Sequence, residues 1–123
     1  MTLQELYDRI GGDYAEAIGR LRMEKLITRF IVRFLSDTSC KDLQAAWAAG
    51  DERAAFDAAH AAKGVCANLS LVELASVASS ITEALREGNE SLRAQTDVDA
   101  LVADLGQKYD NTIQNIEAYA ATL

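Results

Sequence analysis

Apolar residues recur every three or four positions along most of the chain, which is the period of an α-helix. The clearest case runs from Met23 to Leu35, where the large apolar side chains are Leu26, Ile27, Phe30, Ile31, Phe34 and Leu35. Lys25, Arg29 and Arg33 fill positions between them. The segment is therefore predicted to be an amphipathic helix that supplies much of the core.

The same period predicts helices over 3–10, 14–21, 38–50, 51–69, 73–86 and 97–121. Gly11-Gly12, Gly50 and Gly88-Asn89 separate several of them, and the polar stretch 90–96 is predicted to be a link. Short connections between long helices favour antiparallel neighbours. We predict an all-α fold, an antiparallel four-helix bundle with a short N-terminal helical cap. Residues 1–36 would hold the cap and the first bundle helix, and residues 37–123 the other bundle helices.

Composition supports this fold and narrows the function. The 123 residues suffice for one domain with a single core, and half of them are apolar. Proline is absent, which favours uninterrupted helices. A net charge of -7 argues against nucleic acid and against an anionic membrane as partners, because both recruit basic surfaces.

The chain has no apolar run long enough to span a bilayer, and its first residues lack the features of a signal peptide. Cys40 and Cys66 match no zinc or redox spacing. We expect a cytoplasmic monomer with both thiols reduced, and a disulfide between them is the less favoured alternative.

His60 is the only histidine. On a helix, His60, Lys63 and Gly64 lie within one turn, which brings together an imidazole, an ammonium group and a gap without a side chain. Neutral imidazole is a nucleophile, and an ammonium group can pair with phosphate oxygens. This combination suits a histidine that carries a phosphoryl group and is approached by a second protein.

Helical spacing divides the His60 helix into two stripes. The predicted buried stripe consists of Phe56, Ala59, Cys66 and Leu69, and the predicted exposed stripe of Asp57, His60, Ala61, Gly64 and Asn68. Glycine inside a helix costs about 1 kcal/mol relative to alanine, so Gly64 needs a reason. Either a partner approaches there, with Gly64, Ala61 and Asn68 as docking residues, or Gly64 permits close packing of two helices.

The His60 region and the helix after it share their sequence with a known family. The residues are Ala59-His60-Ala61-Ala62-Lys63-Gly64-Val65-Cys66-Ala67-Asn68-Leu69, then Leu74-Ala75 and Glu83-Ala84-Leu85-Arg86-Glu87-Gly88. They closely resemble the histidine-containing phosphotransfer (Hpt) domain family. The N-terminal half resembles bacterial members through Ile10-Gly11-Gly12-Asp13-Tyr14, Arg29-Phe30 and Phe34-Leu35.

This resemblance implies a four-helix bundle with an exposed histidine on its second helix. By the resemblance, His60 would accept a phosphoryl group on Nε2 from a receiver-domain aspartate, Lys63 would offset phosphate charge and Gly64 would leave room for the receiver. Two family positions differ: Ala62 stands where leucine is common, and Ser70 where glycine is common. Thr82 stands where many members have the glutamine or glutamate that orients the histidine. It is our candidate orienter, through a hydrogen bond between its hydroxyl and Nδ1.

The leading hypothesis is a phosphorelay carrier that passes the phosphoryl group from one receiver to another and has no kinase activity of its own. No glycine-rich nucleotide loop is present, so ATP would not be its direct donor. We expect no cofactor, with magnesium on the partner receiver, and the partners would be response-regulator receivers within a sensor or hybrid histidine kinase system. The alternative is a helical interaction module that carries no phosphate. A metal-dependent enzyme is disfavoured, because one histidine and no Glu-x-x-His motif provide no metal site.

Overall fold

The computed structural model describes all of residues 1–123. It contains eight α-helices and no strand, which confirms the all-α prediction. The helices are α1 (Leu3–Arg9), α2 (Tyr14–Leu21), α3 (Glu24–Arg33), α4 (Ser39–Ala48), α5 (Glu52–Asn68), α6 (Val72–Leu85), α7 (Glu90–Ala94) and α8 (Val98–Ala120). A short 3₁₀ helix, Phe34–Ser36, follows α3. None of the helices has the length and apolar character needed to cross a membrane.

Four helices, α4, α5, α6 and α8, form a closed bundle in which each packs against two others. The connections from α4 to α5 and from α5 to α6 are three residues long, so these neighbours run antiparallel. The helix α5 that carries His60 is thus the second of the bundle. Helix α3 packs mainly on α2 and α8, outside the ring. This differs from the predicted division, which places the first bundle helix within residues 1–36.

Helix α5 fills the space between α4 and α6 with small side chains. Ala55, Ala59, Ala62 and Cys66 are all fully buried on its inner face. Larger buried residues of the other helices surround them, among them Leu43, Leu74, Ile81, Leu105 and Ile116. Small residues let the helices on both sides come close, so the axis of α5 is held from two directions. Its outer face, which carries His60, remains open.

The N-terminal helices α1 and α2 form a cap over the C-terminal end of α5. The Tyr7 hydroxyl donates a buried hydrogen bond to the Leu69 carbonyl at 2.9 Å. At Gly12 a Cβ would lie only 2.6 Å from the Tyr7 ring and 3.2 Å from the Ser70 carbonyl, so only glycine permits this approach. The Asp13 amide donates to the same Ser70 carbonyl. These contacts fix the end of the His60 helix against the cap.

Ser70 shows why glycine suits this position. Its φ of 55° lies in the left-handed region, which glycine adopts without steric cost. Here the serine hydroxyl donates to the Glu16 carboxylate, and the Arg20 guanidinium donates to the serine oxygen. The departure from the family pattern is therefore accommodated by two polar side chains of α2.

Two predicted boundaries were wrong. The α-helical part of the segment 23–35 ends at Arg33, and the chain tightens into 3₁₀ geometry before the Asp37 carboxylate accepts a hydrogen bond from the Ser39 amide. The predicted link 90–96 contains the helix α7. Its Arg93 lies over the Trp47 ring, 5.4 Å from the centroid, and pairs with Glu52 at 3.4 Å. These long-range contacts support a short helix that has no apolar period of its own.

Candidate functional site

His60 projects from the open side of α5 into solvent. Its neighbours Ala61, Gly64 and Asn68 are also exposed, and Lys63 is half-buried. We call the surface formed by His60, Ala61, Gly64 and Asn68 the His60 face. The imidazole makes no hydrogen bond to any side chain or backbone group of the chain. A partner can therefore reach His60 across side chains that are small or absent.

Gly64 has open space where a side chain would begin. Apart from Gly64 itself, its chain neighbours and the nearby backbone of α5, no heavy atom lies within 4 Å of the position that a Cβ would take. The alternative that Gly64 permits close helix packing is therefore wrong, because no second helix approaches it. The missing side chain leaves the surface flat one turn from His60.

Phe56 lies beside His60 rather than on the buried stripe where the sequence placed it. Its half-buried ring has its centroid 6.0 Å from that of the imidazole, with the planes tilted by 53°. The two residues are four apart, so they are neighbours on the helix surface. Ala62 takes the buried position instead. The prediction for Phe56 was wrong, and its ring forms one wall of the site.

Glu83 of α6 and Arg86, which follows the last residue of α6, lie on this side of the site. The Arg86 guanidinium carbon lies 5.3 Å from the centroid of the Phe56 ring, and Arg86 Nε pairs with a Glu83 carboxylate oxygen at 2.8 Å. The hydrogen bond from Arg86 is the main cause that lowers the pKa of Glu83, and Coulombic interactions with Lys63 and His60 contribute smaller decreases. Glu83 is thus within electrostatic range of both candidate site residues.

Thr82 is not at the imidazole. It is fully buried, and its hydroxyl donates its only proton to the Ala78 carbonyl at 2.7 Å. The expected hydrogen bond to His60 Nδ1 is absent, and this part of the prediction was wrong. The rotation of α6 about its axis points Thr82 into the core and turns the next residue, Glu83, towards the His60 side. Sequence reasoning missed Glu83, Arg86 and Phe56, although the spacing of Phe56 from His60 was a usable signal.

The other nucleophilic side chains are out of reach. Cys40 and Cys66 are free thiols in the core. The hydrogen bond with the Cys40 thiol is the main cause that raises the pKa of Cys66, and burial is the second cause. Cys66 therefore stays protonated. No three His, Cys, Asp or Glu side chains come together as a metal site. The surface around His60 therefore offers one accessible nucleophile with a neighbouring cation.

Comparison with known families gives one match. The model described as the Hpt domain matches residues 34–118, which is most of the chain and includes His60 and nearly all of the four-helix bundle. Helices α1, α2 and α3 lie before the matched region. No curated protein and no solved structure matches the chain.

Proposed function

Because the chain belongs to the Hpt-domain family, whose members are histidine phosphotransfer carriers of two-component systems, we propose that His60 is its phosphoacceptor. Hpt domains carry phosphoryl groups and are not kinases, and they interact with receiver domains and histidine kinases. The observation that supports His60 is its accessibility. The only histidine of the chain is exposed beside Gly64, where nothing obstructs a partner.

The proposed reaction moves the phosphoryl group between two side chains. The Nε2 lone pair of neutral His60 attacks the phosphorus of an aspartyl phosphate on the receiver. The N–P bond forms as the P–O bond to the aspartate breaks, and the aspartate leaves as a carboxylate. The proton on Nδ1 stays in place. Phosphoryl transfer depends chiefly on positioning and on stabilising charge, so a carrier needs an accessible imidazole more than catalytic groups of its own.

Lys63 and the receiver would share the stabilisation of charge. The Lys63 ammonium is three residues from His60 on the same side of the helix and has no ion pair with any carboxylate within 4 Å. It is therefore free to donate charge-assisted hydrogen bonds to phosphate oxygens. Magnesium would be held by the receiver. A second transfer, from His60 to another receiver, would reverse these steps.

The test is incubation of the chain with purified, phosphorylated receivers, followed by intact mass and by treatment with acid and with base. We expect one phosphoryl group per chain, labile in acid and stable in base, as for a phosphorus–nitrogen bond. The alternative function is an interaction module that carries no phosphate. It predicts that receivers bind while the mass of the chain stays unchanged, and that result across the receivers that bind would overturn the proposal.

Replacement of Lys63 by alanine should slow phosphoryl transfer about tenfold, since one charge-assisted hydrogen bond contributes about 1.5–3 kcal/mol and solvent screens part of it here. Stability should change little, because Lys63 makes no ion pair within 4 Å and only a weak, solvent-screened interaction with Glu83. Rapid-quench transfer rates and thermal melts measure the two effects. Lys41→Ala is the matched control, since Lys41 is an exposed lysine on α4. Equal rates for both variants and the natural chain would remove Lys63 from the mechanism.

A further inference from the structure

A pocket of about 390 Å³ lies where the N-terminal helices meet the end of α5. We call it the cap pocket. Its apolar wall consists of Leu21, Phe30, Phe34, Val65 and Leu69. Three of these residues, Leu21, Phe30 and Phe34, come from the region around α2 and α3, and the other two from α5 and its end. Leu21 and Phe30 lie before residue 34, where the match to the Hpt family model begins.

The cap pocket is continuous with the His60 face. Asn68 belongs to both, because it lines the pocket and lies eight residues after His60 on the exposed side of α5. Eight residues of α-helix span about 12 Å. A standard interface covers about 800 Å² on each partner, which as a round patch has a radius of about 16 Å. A domain of ordinary size that docks on His60 therefore reaches the cap pocket.

Arg33, which lines the pocket, is the last of a row of three exposed cations on α3. Lys25, Arg29 and Arg33 follow one another at four-residue intervals along α3, and all three are exposed. None has a carboxylate within 4 Å, and Arg33 instead lies over the Phe30 ring, 5.8 Å from the centroid. In a chain of net charge -7, this row is a local exception. Its charges are available to carboxylates of a partner.

The other charged groups of the pocket are already engaged within the chain. Arg20 donates to the Ala67 carbonyl and pairs with Glu16 at 2.9 Å. The Asp37 carboxylate accepts hydrogen bonds from the amide and hydroxyl of Ser39, at the start of α4. Asp37 does not pair with Arg33, although both line the pocket. Asp37 keeps its negative charge, because neutral donors do not cancel it, and the three unpaired cations of the α3 row outnumber it.

We propose that the cap pocket and the Lys25–Arg29–Arg33 row form a second docking site for the receiver. The pocket would bind an apolar side chain of the receiver, and the row would pair with carboxylates on either side of that side chain. The inference rests on the proposed function, since it assumes that the partner covering His60 is a receiver domain. In this proposal, helices α2 and α3, which lie outside the matched region, determine the specificity for particular receivers. Receivers that offer carboxylates at this position would bind, and those with basic residues there would be rejected by like charges.

The first experiment measures binding of unphosphorylated receivers by calorimetry, so that it does not depend on transfer. For the tightest-binding receiver, the double variant R29Q/R33Q should weaken the Kd about tenfold at low salt, and the difference should shrink as salt rises. The control is R9Q/K41Q, which removes two exposed charges from α1 and α4. Equal binding by the double variant, the control and the natural chain would overturn the docking site.

The second experiment locates the footprint by NMR titration with the same receiver. Amides of Leu21, Phe30 and Arg33 should shift over the same range of receiver concentration as that of Gly64, while those of Ala103 and Gln107, which are exposed on α8 across the bundle from α5, should not. Shifts confined to the surroundings of Gly64 would overturn the inference. The cap-pocket amides could instead shift on dilution of the chain alone, with phosphatidylglycerol vesicles or with duplex DNA. If one of these shifted them and the receiver did not, the inference would be overturned as well.

The two proposals can fail separately. If receivers bind with the expected dependence on Arg29 and Arg33 but never phosphorylate the chain, the docking site stands and the carrier function fails. If His60 accepts phosphate while R29Q/R33Q binds and reacts as the natural chain does, the carrier function stands and the docking site fails. At saturating receiver, the double variant should transfer phosphate at the natural rate, because its residues act on docking alone.

Discussion

Replacement of His60 by glutamine should abolish phosphate acceptance and leave the bundle folded. No other imidazole exists in the chain, so no side chain can replace the nucleophile. The imidazole is exposed and makes no hydrogen bond within the chain, so its removal leaves no buried group unsatisfied. A surface substitution of this kind changes stability by about 0.5 kcal/mol or less. The expected result is no phosphoryl label after incubation with a phosphorylated receiver, with a thermal midpoint within about 2–3 °C of the natural one.

The informative control keeps the imidazole and changes its surroundings. Asp57 is exposed one turn before His60 and pairs only with exposed Arg53, at 3.6 Å, so Asp57→Asn should still accept one phosphoryl group per chain and keep the natural stability. His60→Gln should also still bind receivers, because the His60 face and the cap pocket remain. An acid-labile label on His60→Gln would contradict the assignment. Loss of receiver binding together with an altered melt would mean that the substitution acts through the fold.

Local sequence signals were sufficient to predict where most helices begin. Asp13, Asp51 and Asp97 each precede an apolar period, and in each case the side chain accepts a hydrogen bond from an amide in the first turn of the helix. The exposure of His60 and Gly64 also followed from helical spacing alone, because the inner face of α5 is a regular stripe of small apolar residues. These features depend on residues within one turn of each other.

The errors concern the relation between helices. Whether Thr82 or Glu83 faces His60 depends on the rotation of α6 against α5, which a one-residue change of register reverses. Amphipathic spacing predicts that α3 and α4 each have a buried face. It does not predict that α4 belongs to the four-helix bundle while α3 packs on α8 and α2. Arg93 of α7 contacts Trp47 and Glu52, which are distant from it in the sequence. The cap pocket is likewise formed by two segments, residues 20–37 and residues 65–69, which are 28 positions apart in the sequence.

Replacement of Gly64 by glutamine should weaken receiver binding and slow transfer while it makes the bundle slightly more stable. A Cβ at Gly64 meets open space, so the substitution causes no clash within the chain. Glutamine is the better helix former, and the expected gain is about 0.5–1 kcal/mol. In the docked state the new side chain would lie one turn from the phosphoryl group, where it must either lose its rotamer freedom or hold the receiver away. Ordering such a side chain costs about 1.5–2 kcal/mol, so we expect binding about tenfold weaker.

Gly19 offers a matched control, because it is also an exposed glycine inside a helix, and no heavy atom lies within 4 Å of the position that its Cβ would take. Gly19→Gln should give the same gain in thermal stability and leave binding and transfer unchanged, since Gly19 lies in α2 and lines neither the His60 face nor the cap pocket. Gly64→Ala should fall between glycine and glutamine in its effect on transfer. If Gly64→Gln lost stability, the packing role would return despite the open space around it. If it kept natural binding and transfer beside Gly19→Gln, Gly64 would have no part in docking, and receivers would have to approach His60 from the side of Phe56 and Arg86.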